Sequence, residues 1–199
     1  MSGTLASPSL IGGRLSIDFV NELGHASDFS WQELLRFLLV TRIISSERSA
    51  QLLALPQNDP QSAGTLLGKS QRLHASLHEI FTALLYKEAL SRDWVEAVNE
   101  VLRITEGHDE LLQQNGKWGL EFVARESGLD WLLAAIARSA GELIAEGPSA
   151  RLRVCSNPSC GLFFYDNSRT RRRRWCSMSR CGNRHKVAAF SRRHSADRH

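Results

Sequence analysis

The chain has 199 residues, 42% of them hydrophobic, which is enough for one domain with a buried core plus a small appended module and excludes a disordered chain. Its formal charge of +4 hides a division: residues 1–150 carry 12 Lys and Arg against 19 Asp and Glu, a balance of −7, and residues 151–199 carry 13 against 2, a balance of +11. An acidic body cannot spread over a polyanion, so any nucleic-acid contact is expected in the C-terminal quarter.

Met1-Ser2-Gly3-Thr4 has neither a basic nor an apolar leader region, and the apolar stretches at 34–40 and 129–137 are short and interrupted. Neither a secretory leader nor a membrane span is expected, and the expected compartment is the cytoplasm. Between Leu10 and Leu23, the alternation of Leu15, Ile17 and Phe19 after Gly12-Gly13 predicts a short strand turning into helix near Asp18. Helical spacing of Trp31, Leu34, Leu35, Leu38 and Leu39 follows, with Ser30 and Glu33 placed as a capping box. After a loop at Pro56 to Pro60, a long helix is predicted from Ser62 through Leu90, striped by Leu66, Leu73, Leu77, Ile80 and Leu84.

Ser91 and Asp93 cap a further predicted helix from Trp94 to Leu112. The period then changes to two around Trp118, Leu120 and Phe122, the second arm of a hairpin turning at Asn115-Gly116. Leu129 to Glu146 returns to helix, and Gly147-Pro148 ends it as a short linker and the predicted domain boundary.

All four cysteines, Cys155, Cys160, Cys176 and Cys181, fall within 27 residues, paired as Cys155-x4-Cys160 and Cys176-x4-Cys181. Two short chelating loops separated by enough chain for a hairpin are what a tetrahedral, four-thiolate zinc site requires, and a closed shell of this kind is structural, not catalytic. Two disulfides, a redox dithiol system, or replacement of a cysteine by His185 or His194 are the alternatives. The fifteen intervening residues are expected to supply the hairpin, with Leu162 to Tyr165 as one arm and Arg172 to Trp175 as the other, and Gly182 to Phe190 a helix packed back on it. Knuckle, hairpin and helix make a treble-clef-like module, with one structural Zn²⁺ as its cofactor.

Arg169, Arg171, Arg172, Arg173, Arg174, Arg180, Asn183, Arg184, Lys186, Arg192 and Arg193 are the candidate nucleic-acid contacts. Guanidinium forks suit phosphate oxygens and guanine edges. A solvated tail, an anionic-membrane contact, or a patch that docks on the acidic body of a second subunit is the alternative reading of such a run. Trp175 and Tyr165 are candidates either for stacking on bases or for burial beside the metal.

Cys181-Gly182-Asn183-Arg184, with Cys155-Ser156-Asn157-Pro158-Ser159-Cys160 and Phe163-Phe164-Tyr165-Asp166, resembles the CGNR zinc-finger family of bacterial proteins. Gly13-Arg14-Leu15-Ser16-Ile17-Asp18-Phe19-Val20-Asn21 and Leu129-Asp130-Trp131-Leu132 are similar to the ABATE domain that precedes such fingers, although Glu22 stands where a threonine is expected. The resemblance implies a stress-responsive transcription regulator, its finger binding DNA and its N-terminal domain acting as a sensor.

Two features of the N-terminal domain were candidates for chemistry. His74 and His78 share a helix face at a spacing that can bind a metal ion, but with no third ligand they read as a surface or satisfied interhelical pair. Arg14, Asp18 and Asn21 are candidate effector-binding residues, with capping and ion pairing as their alternative roles. The expected fold is α+β: a mainly helical domain with a small antiparallel sheet over residues 1–147, and a zinc finger over 151–199. The expected function is DNA-binding transcription regulation with no enzymatic activity. A protein-interaction adaptor or RNA binding is the alternative, and a homodimer and a small-molecule effector are candidate partners.

Overall fold

A computed structural model describes residues 10–24, 28–104, 107–114, 117–124 and 128–187, with backbone only for 104, 107–114, 117–124 and 148. Seven helices are described: α1 (Leu15–Glu22), α2 (Trp31–Val40), α3 (Ser46–Leu53), α4 (Leu55–Asn58), α5 (Pro60–Tyr86), α6 (Arg92–Ile104) and α7 (Ala134–Ala145). Two antiparallel pairs complete the described architecture, β1 (Gly107–Gln114) with β2 (Lys117–Ala124) and β3 (Leu152–Val154) with β4 (Phe163–Tyr165). The mainly helical body, small sheet and C-terminal cysteine cluster are those read from the sequence. Among the described residues no helix is long and apolar enough to cross a membrane.

Helix α5 is the spine. Asp59 caps it by accepting from the Ser62 N–H at 3.0 Å, Pro60 occupies its first turn, and its stripe Leu66, Leu73, Leu77, Ile80 and Phe81 is buried against α1, α2 and α6. The capping box of α2 forms as predicted, with the Glu33 N–H on the Ser30 hydroxyl and the Ser30 N–H on the Glu33 carboxylate. His74 is wholly buried, its ring edge-on to Phe19 and Phe29 and its Nε2 3.2 Å from the Val20 carbonyl; it is a core residue.

Four expectations need correction. Leu10 to Leu23 holds no strand: residues 15–22 are helix α1, and because Ser16 through Val20 are all buried, the side chains show no single apolar face by which to recognise a helix. The loop expected at Pro56 to Pro60 is instead largely helical, with α4 over Leu55–Asn58 and α5 starting at Pro60, and the preceding α3 is joined to α2 by the Trp31 indole donating to the Leu52 carbonyl at 3.0 Å. The helix predicted to Leu112 ends at Ile104, and its last residues instead form β1, which pairs in full register with β2 from Gly107↔Ala124 to Gln114↔Lys117. Cross-strand pairing there outweighs the helical spacing of a few leucines. Leu129 to Glu146 begins as a tight 3₁₀ turn, Asp130–Leu133, before α7. The predicted turn Asn115-Gly116 lies outside the described residues.

The core does not stop at the predicted boundary. Gly147, in the left-handed region at φ +53°, opens a 3₁₀ turn, Gly147–Ser149, that carries the chain directly into β3. Leu152 and Phe163 of the second hairpin are buried in the same apolar cluster as α1, α5 and α7.

Candidate metal centre

Strands β3 and β4 pair Leu152↔Tyr165, Arg153↔Phe164 and Val154↔Phe163, and the Cys155 N–H donates to the Leu162 carbonyl at 2.9 Å. This hairpin therefore closes through the loop that carries Cys155 and Cys160. The hairpin predicted between the two cysteine pairs, with Arg172 to Trp175 as its returning arm, is not formed; β4 pairs backwards to β3. Within the loop the Cys160 N–H donates to the Asn157 carbonyl at 2.9 Å and the Ser159 N–H to the Asn157 side chain at 3.2 Å, and Gly161 takes φ +65° to turn the chain back.

The second pair sits at the mouth of a helix. Ser177 caps a π-helical turn, Met178–Gly182, that runs into helical residues 183–187. A Cβ on Gly182 would come within 2.6 Å of the Met178 sulfur and 3.4 Å of the Trp175 ring, so the end of the half-exposed Met178 side chain would have to swing aside for any larger residue beside Cys181. The two loops are tied together by the Ser156 N–H donating to the Arg174 carbonyl at 2.8 Å.

All four sulfurs lie within 4.8 Å of one another. Cys160 Sγ and Cys181 Sγ each stand 3.7 Å from Cys176 Sγ, and a tetrahedron with zinc–sulfur bonds of about 2.3 Å has edges of about 3.8 Å. The Cys176 N–H points at Cys155 Sγ and the Asn157 amide at Cys181 Sγ, both at 3.4 Å, the donors that thiolate ligands attract. Burial pushes the Cys176 thiol upward, so four thiolates at this spacing require a compensating cation. The donor set fits a metal ion, which would bridge the two loops and leave no open position for chemistry. His185 is not in the cluster; its ring lies against Trp175 with centroids 4.7 Å apart. His194 lies outside the described residues.

Asp166, the last residue of the Phe163-Phe164-Tyr165-Asp166 motif, organises the basic loop. Asp166 is completely buried and accepts from the Ser168 N–H at 3.0 Å, the Ser168 hydroxyl at 2.6 Å and the Arg173 N–H at 3.1 Å, with Arg153 Nε at 3.4 Å. Burial alone would raise its carboxyl; the Ser168 and Arg173 hydrogen bonds and the Arg153 charge outweigh it and hold the group below the ordinary carboxylate value. The Asp-x-Ser pattern of an Asx turn was the available signal.

The candidate nucleic-acid residues divide into two kinds. Arg173 is built into the fold: its guanidinium lies 4.6 Å over Phe164 and donates to the carbonyls of Trp175 and Cys176. Arg169, Arg171, Arg172, Arg174, Arg180, Asn183, Arg184 and Lys186 are exposed, and among the described residues none of these arginines and lysine has an ion-pair partner. Arg174 leans over the Trp175 ring at 5.4 Å. An open groove of about 720 Å³ is lined by Leu10, Ile11, Arg172, Arg174, Trp175 and Met178 among others. Arg192 and Arg193 lie outside the described residues.

Arg14, Asp18 and Asn21 all have protein partners. Arg14 pairs with Glu146 at 2.8 Å and Glu142 at 3.6 Å, Asp18 accepts from the Gly12 N–H at 2.7 Å, and Asn21 bonds the backbone of Phe163. Burial pushes the Asp18 carboxyl up to about 6, against the lowering effect of the Gly12 hydrogen bond.

Residues 151–194 match the CGNR zinc finger, and residues 13–147 match the ABATE family, described as "Putative stress-induced transcription regulator". No curated protein matches the chain.

Proposed function

The chain belongs to the ABATE family and ends in a CGNR zinc finger, and from that premise we propose that it regulates transcription by binding DNA through the finger. The observation that carries the reading is the pairing of a thiol cluster of tetrahedral dimensions with a surface of arginines that have no acidic partner among the described residues. One structural Zn²⁺ holds the two loops, and the exposed arginines take phosphate oxygens and, at one or two positions, guanine edges. Because one small finger buries little surface, a homodimer supplies the remaining affinity and specificity, and the helical body senses a small effector. Four unpaired thiols suit a reducing compartment, the cytoplasm.

A mobility-shift titration of purified zinc-loaded protein with duplex DNA, at two salt concentrations and with chelator, tests the proposal. Affinity is expected to fall steeply with salt and to vanish on chelation. Binding insensitive to both, or preference for a single-stranded RNA competitor, would replace DNA regulation with the adaptor or RNA-binding reading.

A further inference from the structure

Strand β4 has two edges. Its neighbours Leu162 and Asp166 bond toward the β3 side, through Cys155 N–H to Leu162 O at 2.9 Å and Asp166 N–H to Arg151 O at 2.8 Å. By alternation, Phe163 and Tyr165 turn their backbone groups to the opposite edge, where an open strand would leave them unpaired.

The N-terminal domain supplies the missing partners. Asn21 of α1 uses both ends of its amide on one residue: Nδ2 donates to the Phe163 carbonyl at 2.8 Å, and Oδ1 accepts from the Phe163 N–H at 3.0 Å. Two residues on, the Tyr165 N–H donates to the Gly12 carbonyl at 2.7 Å and its hydroxyl to Glu146 Oε2 at 2.8 Å. Arg14 lies 4.7 Å over the Tyr165 ring and pairs with the other Glu146 oxygen at 2.8 Å. Side-chain packing reinforces the same seam, since Phe163 meets Phe81 and His78 of α5 edge-on at 5.7 and 5.5 Å.

We propose that Asn21, Arg14 and Glu146 are positioning residues for the metal centre: by completing the open edge of β4 they hold the loop of Cys155 and Cys160 in place and so set how firmly the ion is kept. The inference rests on the reading that the cysteine cluster binds zinc. It makes the helical body and the finger one thermodynamic unit, in which whatever loosens the seam loosens the metal and loss of the metal loosens the seam.

The test is the rate of zinc release from the full-length, zinc-loaded protein into a chromogenic chelator. Asn21→Ala removes two hydrogen bonds at the seam and is expected to speed release on the order of tenfold; Arg14→Ala should act in the same direction, with Arg14→Lys restoring part of the loss. Leu52→Ala is the control, a cavity in α3, which packs on α2 and α4; it should lower Tm while leaving release near the wild-type rate. Tyr165→Phe, which deletes one hydroxyl, serves if Asn21→Ala fails to fold, with a release rate raised a few-fold. Hydrogen exchange reads the reciprocal effect: chelation should deprotect the Phe163 and Tyr165 amides and those of α1. Release unchanged in both seam variants, or raised equally by Leu52→Ala, overturns the positioning role while leaving the metal centre intact. A wild-type protein without stoichiometric zinc overturns the metal reading itself.

Discussion

In the helical body, side chains such as Phe19, Leu34, Leu77 and Ile136 have no exposed surface and form an apolar core shared among the packed helices. In the finger, the separate buried cluster consists of Cys155, Phe164, Cys176 and Cys181, with Leu162 and Trp175 partly buried against it, and much of the remaining scaffold is polar: Asp166 with its three donors, Arg173 on two carbonyls, Asn157 on its own loop. The contrast teaches that a segment relieved of building its own apolar core is free to dress its surface in arginine. Ion, carboxylate and hydrogen bonds do in the finger what leucines do in the body.

The largest effect that would break this contrast is on the metal. Cys176→Ala should abolish stoichiometric zinc and collapse the near-ultraviolet signal of Trp175, since a structural zinc site supplies on the order of 10 kcal/mol to a module of this kind. A variant that keeps its zinc and its tertiary signal would show that the finger folds without the ion.

Next comes a comparison of one carboxylate with one leucine. Asp166→Ala leaves the Ser168 and Arg173 donors without their acceptor and should cost about 2–3 kcal/mol in chemical denaturation, close to the roughly 3 kcal/mol expected for Leu77→Ala in the body. A cost under about 1 kcal/mol for Asp166→Ala would show that its hydrogen bonds do not hold the basic loop.

The arginines sharpen the comparison further. Arg172→Ala and Arg184→Ala should each weaken DNA binding and reduce the salt slope by about one while leaving Tm unchanged, whereas Arg173→Ala should lower Tm, because Arg173 supports carbonyls of the metal loop. Equal effects of all three on Tm would erase the division between built-in and free arginines.

In the body, the buried Asp18 gives a pH signature. With its carboxyl pushed up to about 6 from an ordinary 3.8, the native state holds this proton more tightly than the unfolded chain does, so the contribution favours folding at low pH and is lost as pH rises through about 6. Melting of wild type against Asp18→Asn across pH 4 to 8 isolates it: wild type should lose stability relative to the variant between pH 4 and 6, and a flat difference would refute it. The smallest effect is a gain. Gly68 lies inside α5 with nothing within 4 Å of where a Cβ would sit, so Gly68→Ala should stabilise the protein by about 0.5–1 kcal/mol, read as a rise in Tm.

Much of this was legible in residue order. The cysteine spacing announced the metal centre because ligand geometry constrains local chain length, and α2 and α5 announced themselves because an amphipathic helix half in water shows its period. Helix α1 did not, since Ser16, Ile17, Asp18, Phe19 and Val20 are all buried, and a helix covered on several sides shows no clean stripe. The pairing of β4 was misassigned because β3 is only three residues long and lies upstream of the first cysteine. Asn21 and Arg14 stood out as polar residues in an apolar run, but their partners Phe163 and Glu146 lie more than 130 positions away, a distance that neither periodicity nor turn chemistry can bridge.

The burial of Leu152 and Phe163 in the cluster formed by α1, α5 and α7 bears on how this protein can be dissected. A fragment cut at Gly147 would leave empty sockets beside Phe81 and lack the two side chains that plug them, and the complementary fragment would present those plugs to solvent on a surface already crowded with positive charge. Both pieces would be poorly soluble or sticky, and would bind each other better than either behaves alone, so assays on the isolated finger would report the behaviour of a damaged half.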